Sequence, residues 1–170
     1  MEESITNNIN LYNCRNKDNQ TLYELALDKG HFRLIKTLAK LGLVDGEINF
    51  PTNSSGWTLL TKASAKSAYD IADFKYFIDE VGADVNAIEW AWGSAPLMHA
   101  AQQGNLPLVE LLIRRGAKLW EVNHKTMKTA YGYADPKIKI YFDEIGFPKN
   151  RQEARNLFIK NNKKIDLRLY

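Results

Sequence analysis

Apolar residues recur along this chain at helical rather than strand spacing. In residues 32–41, Leu34, Ile35, Leu38 and Leu41 are apolar at helical spacing, one face of a short helix. Gly42 follows as a left-handed stop signal. The same rhythm predicts a succession of short helix pairs rather than a sheet. Near the end, Asn150 and Glu153 have the spacing of a helix-capping pair, and Ala154, Leu157 and Phe158, with Phe147, give the helix they open an apolar face. Ile5, Ile9 and Tyr12 suggest a short helix at the start. Residues 165–170 alternate apolar and charged, as a packed extended segment or a frayed end would.

The pairs recur. Residues 95–117 read Ala-Pro-Leu-Met-His-Ala-Ala-Gln-Gln-Gly-Asn-Leu-Pro-Leu-Val-Glu-Leu-Leu-Ile-Arg-Arg-Gly-Ala. This string resembles the core of an ankyrin repeat, T-P-L-H-x-A-A-x-x-G-H-x-x-I-V-x-x-L-L-x-x-G-A. The position of its first Thr falls at Thr21, Thr58, Ala95 and Thr129, at spacings of 37, 37 and 34 residues, against about 33 for the family. In the first unit Ala26 and Gly30 match the helix-packing Ala and inter-helix Gly. The second ends Val81-Gly82-Ala83-Asp84-Val85-Asn86, and its inter-helix turn, residues 66–70, is lengthened and lacks the Gly. In the fourth, Asp135-Pro136 opens a shortened second helix running to Ile145, with Pro136 suited to the first helical position.

The resemblance covers about residues 19–146. It implies an all-α chain, an ankyrin-repeat α-solenoid of about four helix-turn-helix units with short β-turn fingers and helical caps. The expected division is an N-terminal cap at 1–18, repeats at about 19–50, 51–86, 87–123 and 124–146, and a basic capping helix and tail at 147–170.

Composition changes this picture little. The chain has 170 residues, 45% apolar and 25% charged, as expected of a folded domain. No apolar run approaches the roughly 18 residues needed to span a bilayer. The acidic start, Met1-Glu2-Glu3-Ser4, lacks an apolar leader, and Cys14 is the sole cysteine, so a reducing, cytoplasmic setting is expected. An effector exported without such a leader is the other possibility. Charge is more informative. The net +3 divides into +5 over residues 147–170 and −2 over the rest. Arg151, Arg155, Lys160, Lys163 and Lys164 therefore form the chain's candidate phosphate-binding segment, with Phe158 and Tyr170 as possible stacking rings. The simpler reading is a solvated capping helix.

No catalytic constellation stands out. His31, His99 and His124 make no metal-ligand spacing with each other or with Cys14. His31 follows Gly30 as in the family's G-H pair. His99 falls within a first helix, where a local hydrogen bond is expected, and His124 lies in a finger that could meet a partner. Cys14 has no dyad neighbour, and no phosphate-binding glycine loop is present. The expectation is a non-enzymatic chain without cofactor or metal.

In ankyrin proteins the finger tips and first helices line a concave surface that holds a protein partner. Carried over by position, the candidate contacts are Trp90, Trp92, Trp57, Glu89, Ser94, Gln102, Gln103, Lys66, Tyr69, Lys125 and Lys128. Trp90 and Trp92 lead, because indoles in a turn tip are costly to leave in water and are enriched at binding hot spots. The alternative is that these rings pack locally. Trp120 reads as structural. The expectation is a protein partner of unknown identity, no membrane, and a monomer or weak self-associate. Nucleic-acid binding through the basic C-terminal segment is the alternative function. Abundant Asn and Lys suggest an AT-rich genome of a bacterium or large virus. Small ankyrin proteins there resemble toxin-neutralising immunity proteins or host-directed effectors.

Overall fold

Threonines and aspartates start the helices by turning their side chains back onto free backbone N–H groups. In this computed structural model, which describes residues 14–44, 48–49, 56–66 and 70–162, Thr21 opens α1 (Leu22–Lys29). Its hydroxyl accepts from Glu24 N while the Glu24 carboxylate accepts from Thr21 N, a reciprocal capping box. Thr58 and Thr61 repeat the device at α3 (Leu59–Ser64), and Asp70 and Asp73 at α4 (Ile71–Asp79). The other helices are α2 (Phe32–Lys40), α5 (Pro96–Gln102), α6 (Leu106–Arg114), α7 (Ala130–Tyr133), α8 (Pro136–Glu144) and α9 (Arg151–Asn162). Thr129 departs from the pattern: its hydroxyl donates to Pro148 O at 3.0 Å and ties α7 to the segment before α9.

The described residues are therefore all-α, with one isolated antiparallel bridge, Arg15 to Thr21. Helices pack in consecutive pairs, α1 with α2, α3 with α4, α5 with α6 and α7 with α8. First helices contact in the order α1, α3, α5, α7, and α4 contacts α6. Gly42 has φ 68° just beyond α2, the left-handed stop expected there. Pro136 takes the first position of α8, with Asp135 as its N-cap.

Two asparagines clamp the loop after one helix pair to the loop after the next. Asn49 donates to Gly82 O at 3.0 Å and accepts from Asp84 N at 2.6 Å. Asn86, 37 residues later, donates to Gly116 O at 3.1 Å and accepts from Lys118 N at 2.8 Å. One buried cluster runs from Tyr23 and Leu27 through Leu59, Phe74, Phe77, Leu108 and Leu112 to Phe142 and Phe147.

At the C-terminal end, Glu153 N donates to Asn150 Oδ1 as the spacing predicts. The Glu153 carboxylate, however, accepts from Lys149 N rather than Asn150 N. Ala154 and Phe147 are buried and Leu157 is half-buried. Phe158 is 48% exposed, with its edge toward Trp120 at 6.0 Å, so the apolar face of α9 is only partly covered. The proposed N-terminal helix and the segment 165–170 lie outside the described residues.

Candidate functional site

The turns that precede the first helices are held by single side-chain acceptors. Asn16 Oδ1 accepts from Asp18 N and Gln20 N, and Asn123 Oδ1 from Lys125 N and Thr126 N. Glu89 does the same work with a carboxylate, which accepts from Trp92 N at 2.8 Å and Ser94 N at 3.1 Å. This corrects the expectation that Glu89 meets a partner. It is fully buried, and its charge is satisfied by the turn it organises. Asn123 also donates to Trp92 O and Ser94 Oγ, which joins the turn before α5 to the turn before α7.

Two close approaches fix what these turns display. A Cβ on Gly56 would fall 2.2 Å from the Trp90 indole, and Trp90 N donates to Gly56 O at 3.3 Å. The Trp90 ring therefore lies against the glycine backbone, with 58% of the residue still exposed. A Cβ on Gly93 would fall 2.4 Å from His124, so this histidine seats on the neighbouring turn. Neither Gly56 nor Gly93 tolerates a side chain, on space and because both have positive φ.

Between these turns and the first helices lies an open groove of about 360 Å³. Trp57 and Ala65 flank α3. His99, Gln102 and Gln103 come from α5 and its C-cap, and Trp92 and Ser94 from the turn before it. Asn123 and Thr126 come from the next turn and Tyr133 from α7. Of the eleven residues expected to contact a partner, the groove collects Trp57, Trp92, Ser94, Gln102 and Gln103. Ser94 is nearly buried and forms part of the floor, while Trp92 is 65% exposed. Trp90 does not line the groove, and Tyr69 lies outside the described residues.

Three expected lysines surround the groove. Lys66 follows Ala65; its ammonium donates to Asp28 O at 2.5 Å and stands 3.8 Å from the Asp28 carboxylate. That carboxylate also pairs with Lys62. Burial alone would raise its pKa, but the Lys62 and Gln20 hydrogen bonds and the nearby ammonium groups hold it below the usual value. Lys125 reaches across to Ala91 O, beside Trp92. Lys128 sits 5.8 Å over the Tyr133 ring. Neither Lys125 nor Lys128 makes an ion pair among the described residues.

Five groove residues were not among the expected contacts: Ala65, His99, Asn123, Thr126 and Tyr133, of which His99 is the one whose ionisation the fold alters. It is 8% exposed, its ring lies 5.0 Å from that of Trp57, and burial lowers its pKa to about 4. The imidazole is therefore neutral at physiological pH. The local hydrogen bond expected of it is missing at Nε2, which has no partner among the described residues. A signal for it was available. Measured from the first position of each unit, His99 and Tyr133 occupy the same place in successive repeats, as do Ala65 and Gln102. Equivalent positions in the aligned sequence segments therefore fall on one side of the groove.

No group of three or more His, Cys, Asp or Glu residues among those described is placed to hold a metal ion, and Cys14 is exposed. No described helix is long and apolar enough to cross a membrane. The groove offers ring faces, amides, a hydroxyl and an imidazole edge, which suit recognition. Residues 92–126 match the family model described as ankyrin repeat. No curated protein matches the chain.

Proposed function

Since the chain carries an ankyrin repeat, matched over residues 92–126, we propose that it is a non-enzymatic module that binds a protein partner through the groove formed by its first helices and turns. Ankyrin repeats generally mediate protein–protein interactions. In this reading the helix pairs form a solenoid of about four units, and partner residues enter between Trp57, Trp92, Gln102 and Gln103. The observation that carries it is Trp92. Trp92 is 65% exposed at the edge of the groove, on a turn whose backbone is held by Glu89 and Asn123, so binding need not order that backbone. A large aromatic side chain left in water beside a groove is a candidate hot spot, since tryptophan is enriched at them. The effect on the cell follows from occupying the partner, as an immunity protein occupies a toxin or an effector a host protein.

The test is capture from source-cell lysate by the wild type, Trp92→Ala and Trp90→Ala, with circular dichroism to check that each variant is folded. A specific protein retained by the wild type and by Trp90→Ala, and lost by Trp92→Ala, is the expected result. Equal recovery by all three would place the contact on another face.

A second reading has its own observation. Arg151, Arg155 and Lys160 are exposed on α9 and make no ion pair among the described residues. Retention on nucleic acid that falls steeply with salt, and is lost when these three are neutralised, would favour it.

A further inference from the structure

We propose that the groove binds an acidic peptide segment of the partner, its carboxylates on the lysines around the opening and its backbone on the side-chain amides of Gln102 and Gln103. The proposal rests on the protein-binding reading above and adds the chemistry of what is bound.

Charge selects the sign of the occupant. Three lysines are brought to the opening by contacts of their own. Lys66 follows the lining residue Ala65, and its ammonium lies 3.8 Å from the Asp28 carboxylate. Lys62 pairs with that same carboxylate, so two cations share one anion and a positive charge is left over. Lys125 donates to Ala91 O, beside the lining Trp92. A carbonyl satisfies the donor but does not neutralise the ammonium. The Lys128 stem lies against Gly132, where an added Cβ would fall 3.0 Å from Lys128 Cβ. Its ammonium stands 5.8 Å over the ring of Tyr133, another lining residue.

Little opposes these cations. No carboxylate lines the groove, and those on the flanking elements are engaged. Glu89 is buried under its own turn, and Asp135 accepts from Lys137 N at the start of α8. A basic segment would meet like charge at this rim, while an acidic one is steered to it.

The lining selects a peptide. Gln102 and Gln103 are exposed in the groove, and their side chains make no hydrogen bond among the described residues. Each offers an N–H donor beside a C=O acceptor, the complement of a peptide unit. The exposed Trp92 ring shares the groove, so an apolar side chain of the same segment packs there. A nucleic-acid strand fits less well. Three lysines are few for a backbone charged at every nucleotide, and a long polyanion also meets the rest of residues 1–146, whose net charge is −2.

The experiment follows the indole N–H signals of the full chain by nitrogen-15 NMR at low salt, during titration with four probes. Three are the blocked pentapeptides Glu-Glu-Leu-Glu-Glu, Gln-Gln-Leu-Gln-Gln and Lys-Lys-Leu-Lys-Lys, and the fourth is an oligothymidylate. The acidic peptide should move the Trp57 and Trp92 signals and leave Trp120 in place. It should bind at least about ten-fold more tightly than the lysine peptide, with the glutamine peptide between them. In a Lys125→Glu/Lys128→Glu variant the order of the two charged peptides should invert. In a Gln102→Ala/Gln103→Ala variant all three should bind at least about five-fold more weakly, with their order kept. All four side chains are on the surface, and the backbone amide spectrum of each variant checks its fold. Equal binding of the acidic and lysine peptides to the wild type would overturn the proposal. So would an order that survives the charge reversal, unchanged affinity in the glutamine variant, or silent Trp57 and Trp92 signals at millimolar peptide. Tighter binding of the oligothymidylate than of the acidic peptide would overturn it too and make the groove a nucleic-acid site. None of these outcomes touches the capture experiment, in which loss of a partner on Trp92→Ala would still establish protein binding by another chemistry.

Discussion

His99 illustrates how a single side chain couples binding surface and stability. Its imidazole is nearly buried against Trp57, and burial lowers its pKa from 6.5 to about 4. Between those values the unfolded chain binds a proton that the folded chain does not. Folding stability therefore falls as pH drops from about 6.5 to about 4, by roughly 3 kcal/mol in all. Asp28, Asp79 and Asp143 behave differently. The opposing effects of burial and of Lys62, Gln20 and Lys66 leave Asp28 below 3.8. The Arg115 hydrogen bond, against the effect of burial, does so for Asp79, and the Lys149 hydrogen bond, against the same effect, for Asp143. Their stabilisation is intact above 3.8 and lost only below it. Asp73, raised by burial, works in the opposite direction. Melting temperatures of the wild type and His99→Leu, measured from pH 7.5 to 4.5, should therefore diverge, the variant declining less. Parallel curves would show that another group carries the acid sensitivity of this window.

At the scale of elements, the same short-range devices recur from one helix pair to the next. Thr21, Thr58 and Asp70 cap helices with reciprocal side-chain bonds, and Asn16, Glu89 and Asn123 gather turn N–H groups. Asn49 and Asn86 then connect one unit to the next. Replacing Asn86 by alanine removes two hydrogen bonds to an exposed turn that water can re-solvate, so the expected cost is about 1–2 kcal/mol. Urea unfolding should show a lower midpoint with an unchanged slope. Asn49→Ala should cost a similar amount, and the double variant should depart from the sum of the two, since Asp84 bonds Asn49 through its N–H and Asn86 N through its carboxylate. Helix boundaries were legible because caps and stops act within a few residues. α2 ends at Lys40, within one residue of its expected end, and Pro136 starts α8 where expected. The asparagine clamps were not legible, because they join residues 30 or more positions apart and leave no local signature.

Across the whole molecule, the pairs share one buried cluster rather than separate cores. Each short helix buries too little apolar surface to stand alone, so its stability comes from its neighbours. Leu112 is fully buried in α6 within this cluster. Leu112→Ala should destabilise the protein by about 2–5 kcal/mol. Circular dichroism and tryptophan fluorescence should report the same transition, since Trp57, Trp92 and Trp120 flank elements bound into that core. Separate transitions would mean that the units unfold piecemeal. The groove is also a property of this scale, because its walls come from three first helices and the turns before two of them.

The sequence by itself determined the helix pairs, their caps and stops, the recurrence of units, and five residues that come together in the groove. All of these follow from apolar spacing, local backbone chemistry and position within a repeat. Tertiary structure alone decided the rest. It buried Glu89 under its own turn, laid Trp90 on Gly56 and seated His124 on Gly93. It also buried His99 Nε2 without a hydrogen-bond partner among the described residues. The reason is physical. Exposure, pairing and close approach depend on which residues of another unit arrive alongside, and neither periodicity nor residue type encodes that distance.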